Sequence, residues 1–144
     1  MKVIIISGSV ATGKTTLAKK LVKKFKADYI SIKDFAIENK LGFYNKKKEY
    51  EIDVEKLNKK LIEVIKKTKK NLIIDGHLAH YLSSKYVDLC IITKCDLKEL
   101  KKRLLKRNYS QEKIRENLDV EIFDVCLVEA SELGHKIKVI DTSK

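Results

Sequence analysis

The segment GSVATGKT, residues 8–15, carries glycine, lysine and threonine at the spacing GxxxxGKT. Gly8 and Gly13 allow backbone N–H groups to turn inward around phosphate oxygens, and a helix that begins here adds the partial positive charge of its N-terminus. Lys14 is expected to reach the β- and γ-phosphates, and the hydroxyl of Thr15 to bind Mg²⁺. The pattern therefore predicts a nucleoside triphosphate site; the alternative is a glycine-rich turn that binds no ligand.

A second group of polar residues follows the apolar run NLII. Asp75 ends this run, and the carboxyl end of a buried strand is where ligands bind in an open α/β sheet. We expect Asp75 to hold Mg²⁺ or its water shell opposite Thr15. After Gly76, which allows a sharp turn, His77 is either a packed structural residue or a catalytic one, since a neutral imidazole beside the γ-phosphate would orient or deprotonate water. His80 is expected to pack against a helix.

Arginine occurs only within RLLKRNYSQEKIR, although Lys and Arg together number 32. Arg103 and Arg107 are four residues apart and therefore share one face of a predicted helix. A guanidinium group makes planar, bidentate contacts with phosphate that lysine does not reproduce. These two residues are therefore predicted to act on the transferring phosphate.

A short lid is predicted around this arginine segment. NYSQ, residues 108–111, interrupts the helix, Ser110 is a candidate N-cap for the next helix, and Arg115 lies on the second turn of that helix. The arrangement predicts a helix, a turn and a helix that close over the phosphate. The alternative is that the arginines form surface pairs with Glu112 and Glu116.

Strands and helices alternate along the chain. Five apolar runs rich in Ile and Val are typical of buried parallel strands: KVIII, DYISI, NLIID, VDLCII and IKVID. Between them, apolar residues recur at helical spacing within residues 17–25, 54–64, 97–104 and 114–125. We therefore predict an α/β fold in three layers, with a five-stranded parallel sheet between helices, and one domain over residues 1–144. Residues 42–51 form the one long polar connection.

The composition limits the classes of function. A net charge of +12 attracts polyanions, but a Lys-rich chain without tryptophan or proline also arises from compositional bias, and its lysine runs lack aromatic residues for base stacking. A solvated surface is therefore favoured over a dedicated RNA site. Three cysteines without CxxC spacing argue against a disulfide framework or a zinc site. The apolar run at residues 3–6 is too short for a signal sequence or a membrane span, so we expect a cytoplasmic protein that does not enter membranes.

Taken in order, five segments resemble the adenylate kinase isoenzyme 6 family and its archaeal relatives: GSVATGKTT, DFAIENKL, IIDGHLAHYL, RLLKRNYSQEKIRENLDVEIFDV and KVIDTS. The resemblance implies the P-loop nucleoside monophosphate kinase fold with sheet order 2-3-1-4-5. It also implies phosphoryl transfer from ATP to AMP with slow ATP hydrolysis. A role in maturing the small ribosomal subunit follows from the same resemblance, through a platform ribosomal protein and transient contact with rRNA.

The resemblance also implies roles for individual positions. Asp75 and His77 become the Walker B pair, and residues 31–67 form the monophosphate-binding region, with a lid over residues 107–115. Lys14, Arg103, Arg107 and His77 are then the catalytic candidates. The predicted nucleotide-binding residues are Gly8, Ala11, Thr12, Gly13, Lys14, Thr15, Thr16, Asp34, Arg107, Asp141 and Thr142.

Two departures from the family pattern leave alternatives open. Adenylate kinases carry an arginine three residues after the aspartate of the monophosphate helix, whereas this chain has Ile37, which favours an ATPase-type assembly factor with vestigial kinase activity. Family members usually continue past DTS into a final helix, whereas this chain stops at Lys144, so that helix is dispensable, replaced by a partner, or cut away. A third hypothesis is a GTPase-like switch, because TKCD, residues 93–96, matches the guanine-binding pattern [NT]KxD. Two features argue against it. The interval from Asp75 to Thr93 is too short for the elements that a GTPase places there, and Leu78 occupies the position where the DxxG motif needs glycine.

Overall fold

The computed structural model describes residues 1–143; the expectation about the chain end at Lys144 lies outside the described residues. In chain order the elements are β1 (Val3–Gly8), α1 (Lys14–Phe25), β2 (Asp28–Ser31), α2 (Ile32–Glu38), β3 (Gly42–Tyr44), β4 (Tyr50–Ile52), α3 (Val54–Lys67), β5 (Leu72–Asp75), β6 (Leu89–Lys94), α4 (Leu97–Lys106), α5 (Gln111–Ile122), α6 (Val125–Glu132) and β7 (Ile137–Asp141). Single 3-10 turns lie at Ala79–Tyr81 and Ser84–Tyr86.

A parallel sheet forms the centre of the fold. Its strand order is β2-β5-β1-β6-β7, and every neighbouring pair is parallel. Counted among themselves in chain order, these five strands have the predicted order 2-3-1-4-5. The register pairs Ile6 of β1 with Asp75 of β5, so the P-loop and Asp75 leave the sheet at the same edge. The predicted fold class is confirmed.

Alternating side chains of the central strands face two different sets of helices. On one face, Val3 and Ile5 pack into a cluster with apolar residues of α2, α3 and α6. On the other face, Ile6 packs with Ala18 and its apolar neighbours in α1. A third cluster, around Leu100 and Leu104, joins α4 and α5 beside the P-loop. The helices therefore hold the phosphate-binding edge of the sheet from both faces.

The polar connection predicted at residues 42–51 is a β-hairpin. β3 and β4 pair antiparallel, and the side chain of Asn45 closes the turn by accepting hydrogen bonds from the backbone N–H groups of Lys47 (2.9 Å) and Glu49 (3.0 Å). Gly42 is required because a Cβ there would lie 1.9 Å from the carbonyl oxygen of Glu51. Strands of three residues give too little alternation to reveal a hairpin in a lysine-rich sequence.

The apolar face predicted over residues 114–125 does not belong to one helix. Asp124 adopts φ 52°, in the left-handed region, and separates α5 from α6. Ile122 consequently lies at the end of α5 with 51% of its surface exposed, whereas Ile114 is buried. The helix is interrupted at residues 107–110, whereas 108–111 was predicted, because Gln111 already begins α5. Ser110 caps α5, as predicted, by accepting a hydrogen bond from the N–H of Lys113.

Cys90, Cys95 and Cys126 are buried free thiols. Among residues 1–143, no helix combines the length and apolar character that a membrane crossing requires.

Candidate active site at the P-loop

The P-loop connects β1 to α1 through backbone conformations that favour glycine. Gly13 has φ +87°, and Ala11 also lies in the left-handed region with φ 68°. A Cβ on Gly8 would lie 2.3 Å from the Thr93 hydroxyl oxygen. Gly8, with φ +145°, is thus required for both backbone conformation and close packing, whereas Gly13 is required for backbone conformation.

Hydrogen bonds inside the loop fix its shape. The Ser9 carbonyl accepts from the Thr12 hydroxyl (2.7 Å) and from Nζ of Lys14 (2.7 Å), which also donates to the Gly8 carbonyl (3.1 Å). The hydroxyls of Thr12 and Thr93 lie 2.6 Å apart. Lys14 is therefore folded over its own loop, and desolvation lowers its pKa to about 8, outweighing the attraction of nearby acidic groups.

Thr15 and Asp75 form the candidate Mg²⁺ position. Asp75 is buried, accepts a 2.5 Å hydrogen bond from the hydroxyl of Tyr29, and interacts with the Thr15 hydroxyl. Burial raises the pKa of Asp75, although both hydroxyls and Lys14 act in the opposite direction. Residues 1–143 contain no cluster of three or more His, Cys, Asp or Glu side chains that would enclose a metal. One hydroxyl and one carboxylate fit Mg²⁺, which commonly takes its remaining ligands from water and substrate phosphates.

His77 lies beside the P-loop lysine and is exposed to solvent. Surrounding protein atoms partly desolvate the imidazole and the positive charge of Lys14 repels a proton from it, so the pKa of His77 lies below its ordinary value. Its backbone carbonyl accepts a hydrogen bond from the Ser7 hydroxyl at 3.3 Å. The lowered pKa favours the neutral imidazole at pH 7, and His77 follows β5 at the same edge of the sheet as the P-loop.

The other two histidines are structural, as expected for His80. Nδ1 of His80 lies 2.7 Å from the Ser7 hydroxyl, and its Nε2 lies 3.3 Å from Glu129 of α6. Nε2 of His135 donates to the His80 carbonyl at 2.8 Å. This buried chain of contacts ties β1 to the helix behind it.

Arg103 reaches from α4 to the P-loop. Its guanidinium donates to the carbonyl oxygens of Thr142 (2.5 Å) and Ala11 (3.5 Å), and its Nε donates to Glu99 (3.3 Å). Thr142 in turn donates its hydroxyl to the Thr12 carbonyl. Arg103 therefore connects α4, the P-loop and the turn after β7.

A pocket of about 640 Å³ lies against these residues. Arg107 lines it from the end of α4, and its charge also lowers the pKa of Lys14. Arg115 is directed elsewhere, because it is exposed and pairs with Asp119 on its own helix at 3.3 Å. The lining residues are Ala11, Gly13, Thr16, Leu17, Lys20, Arg103, Lys106, Arg107, Ile140, Asp141 and Thr142.

Asp34 lies in a smaller cavity of about 210 Å³ on the side of α2. Asp34 and Glu38 are the ionisable carboxylates of its lining, which includes no lysine or arginine and is completed by Tyr29, Ile30, Ser31 and Phe35. Asp34 is close enough to Asp75 to contribute to the raised pKa of that carboxyl. The structure thus separates Asp34 from the residues that line the larger pocket.

Two contributors to the site were not identified in the sequence. Tyr29, which binds Asp75, was read only as part of a strand. Glu121 is 5% exposed and accepts a 3.0 Å hydrogen bond from the hydroxyl of Ser9 in the P-loop. A signal for Glu121 existed, because it follows Ile114 by seven residues and so falls on the apolar face of α5.

The [NT]KxD match at residues 93–96 has a structural explanation. Thr93 is fully buried beneath the P-loop, where its hydroxyl contacts Thr12 and donates to the Ser7 carbonyl at 3.2 Å. The Asp96 side chain caps α4 by accepting from the N–H of Glu99. Thr93 and Asp96 thus make structural hydrogen bonds, whereas a guanine-binding motif would need these side chains free to contact the base.

Comparison with known proteins agrees with this architecture. A family model described as an AAA domain matches residues 4–124. A "Putative adenylate kinase" of Thermococcus kodakarensis is 37% identical over 98% of this chain and 76% of its own length. The "Adenylate kinase isoenzyme 6 homolog" of Schizosaccharomyces pombe is 40% identical over 90% of this chain and 74% of its own length.

Among solved structures, a shikimate kinase from Bacteroides thetaiotaomicron has a TM-score of 0.61 at 14% identity, covering 98% of this chain and 86% of its own. At that identity the likeness concerns the fold alone. The two sequence relatives are similar to this chain over about three quarters of their own lengths. From its fold, the family model and these relatives, the chain is a P-loop nucleotide kinase and belongs to the adenylate kinase isoenzyme 6 family.

Proposed function

We propose that this kinase transfers the γ-phosphoryl group of ATP to AMP in a Mg²⁺-dependent reaction and hydrolyses ATP slowly in the absence of an acceptor. The observation that carries the proposal is that Lys14, Asp75, Arg103 of α4 and Arg107 just after it lie together at one end of the sheet. These groups supply the positive charge, the metal position and the guanidinium donors that phosphoryl transfer uses.

The donor ATP would occupy the larger pocket, whose volume of about 640 Å³ is in the range of small-ligand sites. Its triphosphate would lie on the P-loop, where Lys14 exchanges its carbonyl partners for phosphate oxygens. Thr15 and Asp75 would hold Mg²⁺, which neutralises charge on the transferring phosphoryl group. Asp141 and Thr142 would border the nucleoside.

The acceptor would enter from the side of α2, where residues 31–67 form the proposed monophosphate-binding region and residues 107–115 the lid. Positioning is the main requirement for transfer, because the acceptor phosphate is already a nucleophile at neutral pH. Hydrolysis differs, because the nucleophile is water. His77, beside Lys14 and neutral, is the proposed group that orients or deprotonates that water.

A second candidate function is an ATPase that assists assembly of the small ribosomal subunit, with a platform ribosomal protein as partner and weak kinase activity. Ile37 favours this candidate, because an arginine that grips the acceptor phosphate is absent from that position of α2. The smaller cavity adds Asp34 and Glu38, two negative charges, beside the proposed acceptor route. Lys33 and the lid arginines would then have to supply the missing positive charge.

The two candidates differ in their products. ATP radiolabelled at its γ-phosphate is incubated with Mg²⁺, with and without AMP. A kinase should form labelled ADP only when AMP is present, and the label should appear in the ADP that derives from AMP. Free phosphate as the product under both conditions would instead identify an ATPase. Lys14→Ala is the control, since it removes the charge on the transferring phosphate and should eliminate both reactions.

A further inference from the structure

The P-loop is held from outside by a buried carboxylate on α5. Oε1 of Glu121 accepts from the Ser9 hydroxyl at 3.0 Å, and its Oε2 accepts from the backbone N–H of Cys95 at 2.7 Å. A carboxylate that is 5% exposed is costly to bury unless its oxygens have partners. Both oxygens of Glu121 have them.

The charge of Glu121 is also balanced. Nζ of Lys94 lies 3.0 Å from Oε1 of Glu121, donates to the Glu121 carbonyl at 3.1 Å, and contacts Asp124. Lys94 ends β6, whereas Asp124 separates α5 from α6. The network therefore fixes one side chain of α5 to a sheet strand and to the P-loop together.

Ser9 is the point at which this network meets the nucleotide-binding groups. Its hydroxyl donates to Glu121, whereas its carbonyl accepts from the Thr12 hydroxyl and from Nζ of Lys14. Movement of Ser9 would therefore displace both Thr12 and Lys14. A loop that is already ordered loses less conformational entropy when a ligand binds.

We infer that Glu121 is a positioning residue that holds the P-loop in its nucleotide-binding conformation through the hydroxyl of Ser9. It touches neither phosphate nor metal in this role. The inference rests on the proposed function, because it takes the P-loop to be the ATP site. Helix α5 then contributes to nucleotide affinity indirectly, through Ser9.

The test measures the affinity of Ser9→Ala and Glu121→Gln for a fluorescent, non-hydrolysable ATP analogue with Mg²⁺. Each change should weaken binding by about five- to tenfold, because the loop must then be ordered on binding. The double variant should bind within about twofold of the weaker single variant, because both changes act on the same Ser9–Glu121 contact. A glutamine has one acceptor oxygen for the two donors, Ser9 and Cys95, that the carboxylate accepts from. kcat at saturating ATP should stay within about twofold of the wild type, since the reacting groups remain.

Glu116→Gln is the matched control, because it makes the same chemical change on the exposed side of α5 and should bind as the wild type does. If Ser9→Ala and Glu121→Gln lower the melting temperature but bind with wild-type affinity, Glu121 is only structural and the inference fails. Multiplicative losses in the double variant would also overturn it. If Glu121→Gln does not fold, Ser9→Ala alone decides, since wild-type affinity there contradicts the inference. Unchanged binding in Lys14→Ala would contradict the proposed function itself.

Discussion

The cationic side chains of the site contact carbonyl oxygens in this structure. Lys14 donates to Gly8 and Ser9, and Arg103 donates to Ala11 and Thr142. These bonds to neutral carbonyls lack the attraction between opposite full charges that a phosphate oxygen adds, so phosphate oxygens would displace the carbonyls as partners. In this structure Lys14 and Arg103 are therefore held at the P-loop by carbonyl oxygens, next to the proposed position of the phosphates.

Arg103 and Arg107 should respond differently to substitution by lysine. Arg107→Lys should lower kcat by about tenfold with little change in KM for ATP, because a planar guanidinium is lost where charge develops. Arg103→Lys should lower kcat and also raise KM for ATP, because Arg103 joins Ala11 to Thr142 in the pocket wall. Steady-state kinetics with varied ATP would separate these effects.

Arg115→Lys provides the control, because Arg115 is exposed and pairs with Asp119 on its own helix. It should have wild-type rates. If all three variants have wild-type rates, Arg103 and Arg107 act only as structural or surface residues.

His77→Ala should separate hydrolysis from transfer. ATP hydrolysis should fall by roughly ten- to a hundredfold, the lower part of the range for a general base, while AMP-dependent ADP formation is retained. The lowered pKa of His77 also sets the pH dependence. A depressed imidazole pKa keeps the neutral form populated as the pH falls, so hydrolysis should stay constant through pH of about 6.5 and decline only below it.

His80→Ala is the comparison for this prediction, because His80 lies three positions away but is buried and bonded to Ser7. It should lower the melting temperature, whereas His77→Ala should leave it nearly unchanged. An equal loss of both reactions in His77→Ala, measured by the same product analysis, would assign His77 to the fold or to the Mg²⁺ shell.

At the scale of elements, the hairpin and the lid helix are linked directly. Glu49, just before β4, pairs with Lys113 in the first turn of α5. The hydrogen bond from Lys113 lowers the pKa of Glu49, so the pair remains ionised at neutral pH. The contact joins the proposed monophosphate-binding region to the proposed lid.

Lys113→Ala should raise KM for AMP by no more than about threefold at low salt, because exposed ion pairs contribute little. The difference from the wild type should vanish at high salt, where screening already removes the attraction. KM measured at two ionic strengths checks both statements.

The charge-swapped double variant Glu49→Lys with Lys113→Glu tests the pairing itself. It should restore the low-salt KM, whereas each charge reversal alone should raise it. A double variant no better than the single ones would mean that Lys113 acts through His77, whose pKa its charge also lowers.

Local patterns predicted the elements that carry the P-loop and Asp75, because buried parallel strands and the GxxxxGKT loop are encoded by neighbouring residues. The hairpin at residues 42–51 and the helix break at Asp124 were missed. The hairpin depends on Gly42, which packs against Glu51, and the helix break depends on Asp124, which has a positive φ. A single residue leaves no periodic signal in the sequence. The role of Glu121 was missed because its partners Ser9 and Cys95, just after β1 and β6, are far away in sequence.

At the scale of the whole molecule, a bound nucleotide should raise the stability of the fold, and the net charge of +12 gives polyanions a second way to do so. ATP with Mg²⁺ at one hundred times its dissociation constant should stabilise the fold by about 2.7 kcal/mol. For a chain of this size that corresponds to a rise in melting temperature of about 5–10 °C. Calorimetry with and without the nucleotide measures it.

A basic protein is also stabilised by polyanions that bind its surface. Lys14→Ala distinguishes the two sources, because it retains nearly all the surface charge but loses the P-loop lysine. The variant should keep any stabilisation by tripolyphosphate at the surface and lose the part specific to ATP. An unchanged shift with ATP would place the nucleotide elsewhere on the molecule.

The packing of Gly8 against Thr93 restricts how this sequence can change over time. A Cβ at position 8 would lie 2.3 Å from the Thr93 hydroxyl and 2.8 Å from its carbonyl oxygen, so a smaller residue at position 93 relieves only one of the two clashes. A bulkier residue at position 93 would press on the P-loop from beneath and on Thr12, its hydrogen-bonded neighbour. Substitutions at position 93 of β6 are therefore constrained by the phosphate loop, although the two segments lie far apart along the chain.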